Sequence, residues 1–129
     1  MLSAVTCLSL AIYHEARGEP IQGQLAVGQV VLNRVASRDY PDTVCDVVTQ
    51  QKQFSFLDNS TPYDMVQNVT DHMSWSKAQY VAKALIQGHE YHLSATHYHA
   101  KKVRPYWVNS PKVNYITTIG NHVFYRERR

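Results

Sequence analysis

The stretch that decides the fold is Ala11–Pro20, "AIYHEARGEP". Its first half continues an apolar pattern. Leu2, Val5, Leu8, Ala11 and Ile12 recur at helical spacing, which predicts a first helix running to about Ala16. Gly18 supplies a helix stop, and Pro20 fits the first turn of a following helix. Glu15 then falls in a last helical turn, where the partial negative charge of the helix end favours cations. An acid set against that field, among apolar neighbours, has its pKa raised on both counts. A carboxyl group still protonated near neutral pH is what general acid catalysis at a glycosidic oxygen requires. Glu19, near the start of the second helix, has the opposite field and is expected to stay ionised. The plainer alternative makes Glu15 a structural partner of Arg17 or His14.

Working outward, Ile21, Leu25, Val31, Leu32 and Val35 give the second helix an apolar face through about Ala36, and Asp39, Tyr40 and Pro41 break it. A short helix is expected over Thr43–Thr49, capped by Asp42 or Thr43. "QFSF" (Gln53–Phe56) alternates as a short strand does, and "DNSTP" follows as a turn. A weaker helix is expected near Tyr63–His72. A stronger one is expected from Ser74 or Ser76 to Gln87, stopped by Gly88. "SATHYHA" (Ser94–Ala100) reads as a strand with Thr96, Tyr98 and Ala100 on one face and His97 and His99 on the other. "HVFYR" (His122–Arg126) reads as a last strand after a Gly120–Asn121 turn. Helices first and short strands later predict an α+β fold in one domain, residues 1–129.

Composition narrows the function classes. The chain has 129 residues, 44% hydrophobic and 18% charged, which suits a globular domain with a core and argues against disorder. Net charge is +3, with the excess around Lys101, Lys102 and Arg104 and at Arg126, Arg128 and Arg129. Such a balance is either a solvated basic face or a surface for an anionic partner: nucleic acid, lipid or an acidic wall polymer. No run spans a membrane, and the apolar opening lacks the basic start of a signal peptide. Asn59 and Asn68 head glycosylation-type triplets, a pattern that chance also produces. Cys7 and Cys45 admit either one disulfide or two buried thiols.

Several chemistries fail on spacing. "HEARG" begins like H-E-x-x-H but has Gly18 in the fifth place, and "HEYH" (His89–His92) is one residue short. His97 and His99 share a strand face without an obvious third ligand, so no metal and no cofactor are expected. No G-x-S-x-G elbow exists. The tyrosines and tryptophans suit either a sugar cleft or a core.

"AIYHEARGEPIQGQLAVGQVVLNRV", "YPDTVCDVVTQ", "QFSF", "SATHYHA" and "IGNHVFYR" together resemble, in order and rough spacing, the cell wall hydrolase family of spore-cortex-lytic enzymes. The resemblance covers roughly Leu8–Arg126. It implies a lysozyme-like α+β catalytic domain, mainly helical with a small antiparallel sheet, that cuts the MurNAc–GlcNAc bond of peptidoglycan. Lytic transglycosylase action is the expected outcome. Hydrolytic muramidase action through Glu15 and Glu19 is the alternative within enzymes, and a non-catalytic basic module binding wall polymer or nucleic acid is the alternative outside them. The resemblance places the catalytic glutamate at Glu15 and a supporting one at Glu19. Gln53, Phe54, Ser55, Thr96, His97 and Tyr98, and the terminal Asn121, His122 and Tyr125, fall in blocks expected to border the cleft. A bare module of this size also resembles a bacteriophage endolysin. That implies a monomer made in the cytoplasm without a signal peptide, acting on glycan strands in the host periplasm, with no nucleic acid or membrane partner.

Overall fold

The computed structural model describes residues 2–50 and 62–128. Its first helix, α1 (Ala4–Ala16), starts where Ser3 accepts a hydrogen bond from the Thr6 amide at 3.1 Å, and ends at Arg17–Gly18 as expected. Pro20 is the cap of α2 (Ile21–Val35) and so stands one place before the first turn. The buried face of α2 differs from the expected stripe: Ile21 is exposed, while Gln24, Ala26, Val27, Val30, Val31 and Arg34 are buried. The reason is that α2 is covered on two sides. Val31 packs into a helical cluster with Leu8, Ile12, Val47, Val81 and Leu85, while Ala26, Val27 and Val30 pack on Tyr98 and Phe124 of the sheet. A Cβ at Gly28 would press on side chains of Leu85 and Ile12, so glycine lets α2 approach closely the helices that carry them.

The third helix, α3 (Val44–Gln50), is capped by Thr43, whose hydroxyl accepts from the Asp46 amide at 3.2 Å. Cys45 on α3 forms a disulfide with Cys7 on α1, which resolves the two readings of the cysteines. The fourth helix, α4 (Pro62–Gln67), is shorter than expected. The fifth, α5 (His72–Ile86), begins earlier than expected, because Asp71 rather than a serine caps it by accepting from the Ser74 amide at 3.1 Å. Gly88 follows α5 with φ +96°. The "QFSF" strand and most of the "DNSTP" turn lie outside the described residues.

The sheet has three antiparallel strands in the order β1 (His97–Ala100), β3 (His122–Glu127), β2 (Val113–Ile119). Strand β2 was not among the expected elements, although Ile116–Ile119 is β-branched throughout. A bulge between Tyr115 and Thr117 interrupts the alternation that marks a half-buried strand. Register pairs Tyr98 with Phe124 and His97 with Tyr125. Tyr98 and Phe124 are buried against α2. His97, His99 and Tyr125 lie on the other face, where Trp107 of a short 3₁₀ turn (Tyr106–Asn109) packs on all three.

Candidate active site

Glu15 stands one residue before the end of α1 and is half-buried. Its Oε1 accepts a hydrogen bond from the Tyr98 hydroxyl at 3.2 Å. Burial pushes its carboxyl up from 4.5 to about 7, and the Tyr98 hydrogen bond opposes that rise. The guanidinium that could have paired with it is turned elsewhere. Arg17 donates to the Tyr13 hydroxyl at 2.7 Å, and its guanidinium lies 4.7 Å from the centre of that ring. Burial, followed by the charge of Arg17, pushes the His14 imidazole below its ordinary value. Among the described residues Glu15 forms no ion pair. It is thus a carboxyl group close to half-protonated at neutral pH, aimed, among the described residues, by the neutral Tyr98 donor.

Glu19 has a different setting. Its Oε1 accepts from the Asn121 backbone amide at 2.6 Å and its Oε2 from the Asn121 side-chain amide at 3.0 Å. The His122 ring nitrogen Nδ1 lies 3.6 Å from Oε1. Burial holds that imidazole below its ordinary value, against the opposing pull of Glu19. Gly120, at φ +56°, makes the hairpin turn, and a Cβ there would overlap the Glu19 carboxylate. Both oxygens of Glu19 are therefore occupied in clamping the β2–β3 turn to the elbow between α1 and α2.

The remaining sequence candidates divide between places. Tyr98 reaches Glu15, while Asn121 and His122 reach Glu19, and the ring of His122 meets that of Tyr98 edge-on at 5.3 Å. These five residues form one connected group. Thr96, His97 and Tyr125 do not join it. The Thr96 hydroxyl accepts from the Glu127 amide at 2.8 Å and pairs with His97 Nδ1 at 3.0 Å. Burial, then the charge of Arg34, lowers the His97 pKa to about 4, so the ring is neutral at pH 7. His99 Nδ1 pairs with the Ala100 carbonyl and Nε2 with the Tyr125 hydroxyl, at 2.8 and 2.9 Å. Both ring nitrogens of His99 and Nδ1 of His97 are thus already engaged. Among the described residues no three His, Cys, Asp or Glu side chains gather as metal ligands do. Gln53, Phe54 and Ser55 lie outside the described residues. Trp107, absent from the sequence candidates, joins the outer aromatic face, and only its residue type hinted at that.

Residues 18–125 match the sequence signature described as cell wall hydrolase, which covers most of the chain. The chain belongs to the cell wall hydrolase family. The matched region opens just after Glu15 and contains Glu19. Over 51 residues, 40% of this chain, it is 45% identical to a spore cortex-lytic enzyme of Oceanobacillus iheyensis. Over 59 residues, 46% of this chain, it is 39% identical to one of Bacillus cereus. Those matches span 18% and 23% of the two relatives, under a quarter of their length. Among solved structures, the chain resembles the catalytic domain of the germination-specific lytic transglycosylase SleB from Bacillus anthracis. That likeness has a TM-score of 0.75 at 27% identity, covering 94% of this chain and 92% of that one. The catalytic domain of the Bacillus cereus SleB protein matches at 0.74 and 27%, covering 94% and 88%. The fold is thus the α+β, lysozyme-like one that the resemblance implied.

Proposed function

We propose that the chain degrades peptidoglycan as a lytic transglycosylase, cutting the MurNAc–GlcNAc β-1,4 bond with Glu15 as its one acid and base. The observation that carries this is the Glu15 carboxyl itself, held near pKa 7 by burial and touched, among the described residues, by the neutral Tyr98 hydroxyl. A group so poised gives and takes a proton at neutral pH with little driving force lost either way. In the first half of the reaction Glu15 passes its proton to the glycosidic oxygen as the bond to C1 of MurNAc breaks. In the second half the carboxylate takes the proton of the C6 hydroxyl as that oxygen bonds to C1. The products are a GlcNAc 4-hydroxyl and a 1,6-anhydro-MurNAc end, and Glu15 is protonated again. No water is consumed.

Retaining hydrolysis of the lysozyme type needs a second carboxylate free to face C1. Glu19 has both oxygens committed to Asn121, which favours the single-carboxyl route over a Glu15–Glu19 muramidase. The Bacillus anthracis relative, itself a germination-specific lytic transglycosylase, points the same way. The test is mass spectrometry of purified peptidoglycan after digestion. Ends lighter than reducing ends by one water are expected, and reducing MurNAc ends alone would refute the transglycosylase route. Glu15→Gln should lower turnover by about 100-fold or more, in line with general acid–base contributions. Host-cell lysis in a bacteriophage setting is the proposed context. Its check is lysis of a bacterial culture on co-expression with a membrane-lesioning partner.

A further inference from the structure

A cleft of about 560 Å³ lies at the far end of α2 from Glu15. Its lining includes Asn33 near the end of α2, Ser94 ahead of β1, Asn114 on β2, and Arg126, Glu127 and Arg128 along the end of β3. At 1.5 Å per helical residue, Asn33 stands roughly 20 Å along α2 from the Glu19 elbow. Thr96 also lines the cleft, two residues from the Tyr98 that touches Glu15, while Glu15 itself does not line it. Its shape is well supported. The Asn33 side chain donates to the Leu93 and Ala95 carbonyls at 2.8 and 2.7 Å, holding the segment ahead of β1. The Glu127 amide is fixed on the Thr96 hydroxyl, and the Arg128 amide donates to the Lys112 carbonyl at 2.6 Å.

Arg126 and Arg128 are two residues apart on extended chain, so their side chains leave on the same side, roughly 6–7 Å apart. Both are exposed, and neither forms an ion pair among the described residues. The Arg128 guanidinium is oriented by the Asn114 side-chain oxygen at 2.5 Å. A guanidinium fork matches a carboxylate with two parallel hydrogen bonds. The cleft volume lies in the range of small-ligand sites.

We propose that this cleft binds the carboxylate-bearing peptide stem of peptidoglycan through Arg126 and Arg128, as a specificity site apart from Glu15. The inference rests on the reading that the chain cuts peptidoglycan. In that polymer the muramoyl carboxyl is used up in the bond to the stem, so the free carboxylates belong to the peptide. A stem of four or five residues, extended at about 3.3–3.6 Å each, reaches roughly 13–18 Å, and the lactyl ether from which it hangs carries it further toward the roughly 20 Å length of α2. Glu127 stands between the two arginines in the chain, and by strand alternation its side chain leaves on the other side, where its Oε2 accepts from the Tyr40 hydroxyl at 3.4 Å.

The test compares wild type with an Arg126→Gln/Arg128→Gln double variant on two substrates: stem-bearing glycan strands, and the same strands stripped of stems by an amidase. On stem-bearing strands the variant's KM should rise about 10-fold or more with kcat retained, the scale of losing a charge-assisted hydrogen bond. On stripped strands the two proteins should be alike. Equal KM for both proteins on both substrates would overturn the proposal. Should the wild type cut neither substrate, the proposed activity fails, and the cleft is judged by binding alone. Titration of isotope-labelled protein with the free tripeptide L-Ala–γ-D-Glu–diamino acid should shift the Asn114, Arg126 and Arg128 amides in wild type and not in the variant. Absence of those shifts refutes the site, as does a response to poly(glycerol phosphate) without one to the peptide.

Discussion

Replacing Glu15 by glutamine should make the protein more stable, and only above acidic pH. The folded chain raises the Glu15 carboxyl from 4.5 to about 7, so folding favours its protonated form. The contribution of this group is fully present below the unfolded value of 4.5, is lost as pH rises through 7, and is gone above that. At 1.36 kcal/mol per pH unit the full loss is about 3 kcal/mol, and water reaching a half-buried group brings it nearer 2 kcal/mol. Glutamine imitates the protonated acid in size, stays neutral and still accepts from the Tyr98 hydroxyl, so it escapes the loss. For a chain of 129 residues, about 2 kcal/mol corresponds to roughly 7 °C in melting temperature. Differential scanning calorimetry of both proteins from pH 4 to 8 is the assay. The curves should coincide near pH 4 and separate progressively above pH 4.5, with the inactive variant the higher. Curves that stay parallel across that range would refute both the burial argument and the stored protonation built on it.

Tyr98→Phe removes a donor that stabilises the ionised Glu15, so the alkaline limb of the activity–pH profile should move up by roughly half to one pH unit. An unmoved limb would show that the hydroxyl does not act on the acid. Glu19→Ala strips the Asn121 amide of its acceptor and should cost about 2 kcal/mol, read as a loss of roughly 7 °C in melting temperature. Reduction of the Cys7–Cys45 disulfide, which closes a separation of 38 residues, should cost about 4 kcal/mol by chain entropy. Calorimetry with and without reductant checks it, and an unchanged transition would place the constraint elsewhere.

Glu15 was legible in the sequence because everything that defines it is local: an apolar helical pattern, a glycine stop and a proline within ten residues. Its partner Tyr98 was legible only as a strand position, since alternation separates Tyr98 from His97 without saying which face meets a helix 83 residues earlier. The double engagement of Glu19 by Asn121 spans 102 residues and leaves no local trace. This is why the sequence left open whether Glu19 supports the site or pairs with Glu15, while the structure shows it bound into a turn. The α2 stripe misled for a related reason: a helix covered on two sides has no single apolar face. Strand β2 escaped because its bulge scrambles a period that would otherwise be plain.

The clamp at Glu19 has a consequence for the whole molecule. From Glu15 the chain runs four residues to Glu19, crosses to Asn121, follows β3 to its neighbour β1, and returns through Tyr98 to Glu15. That circuit is a closed loop of cause. If the sheet swings away from the helices, Glu19 loses Asn121, Tyr98 leaves, water floods the acid, and position 15 reverts to an everyday surface glutamate. The raised pKa of Glu15 therefore depends on the helices and the sheet staying packed together, and under the proposed mechanism a protein opened at that seam lacks its acid.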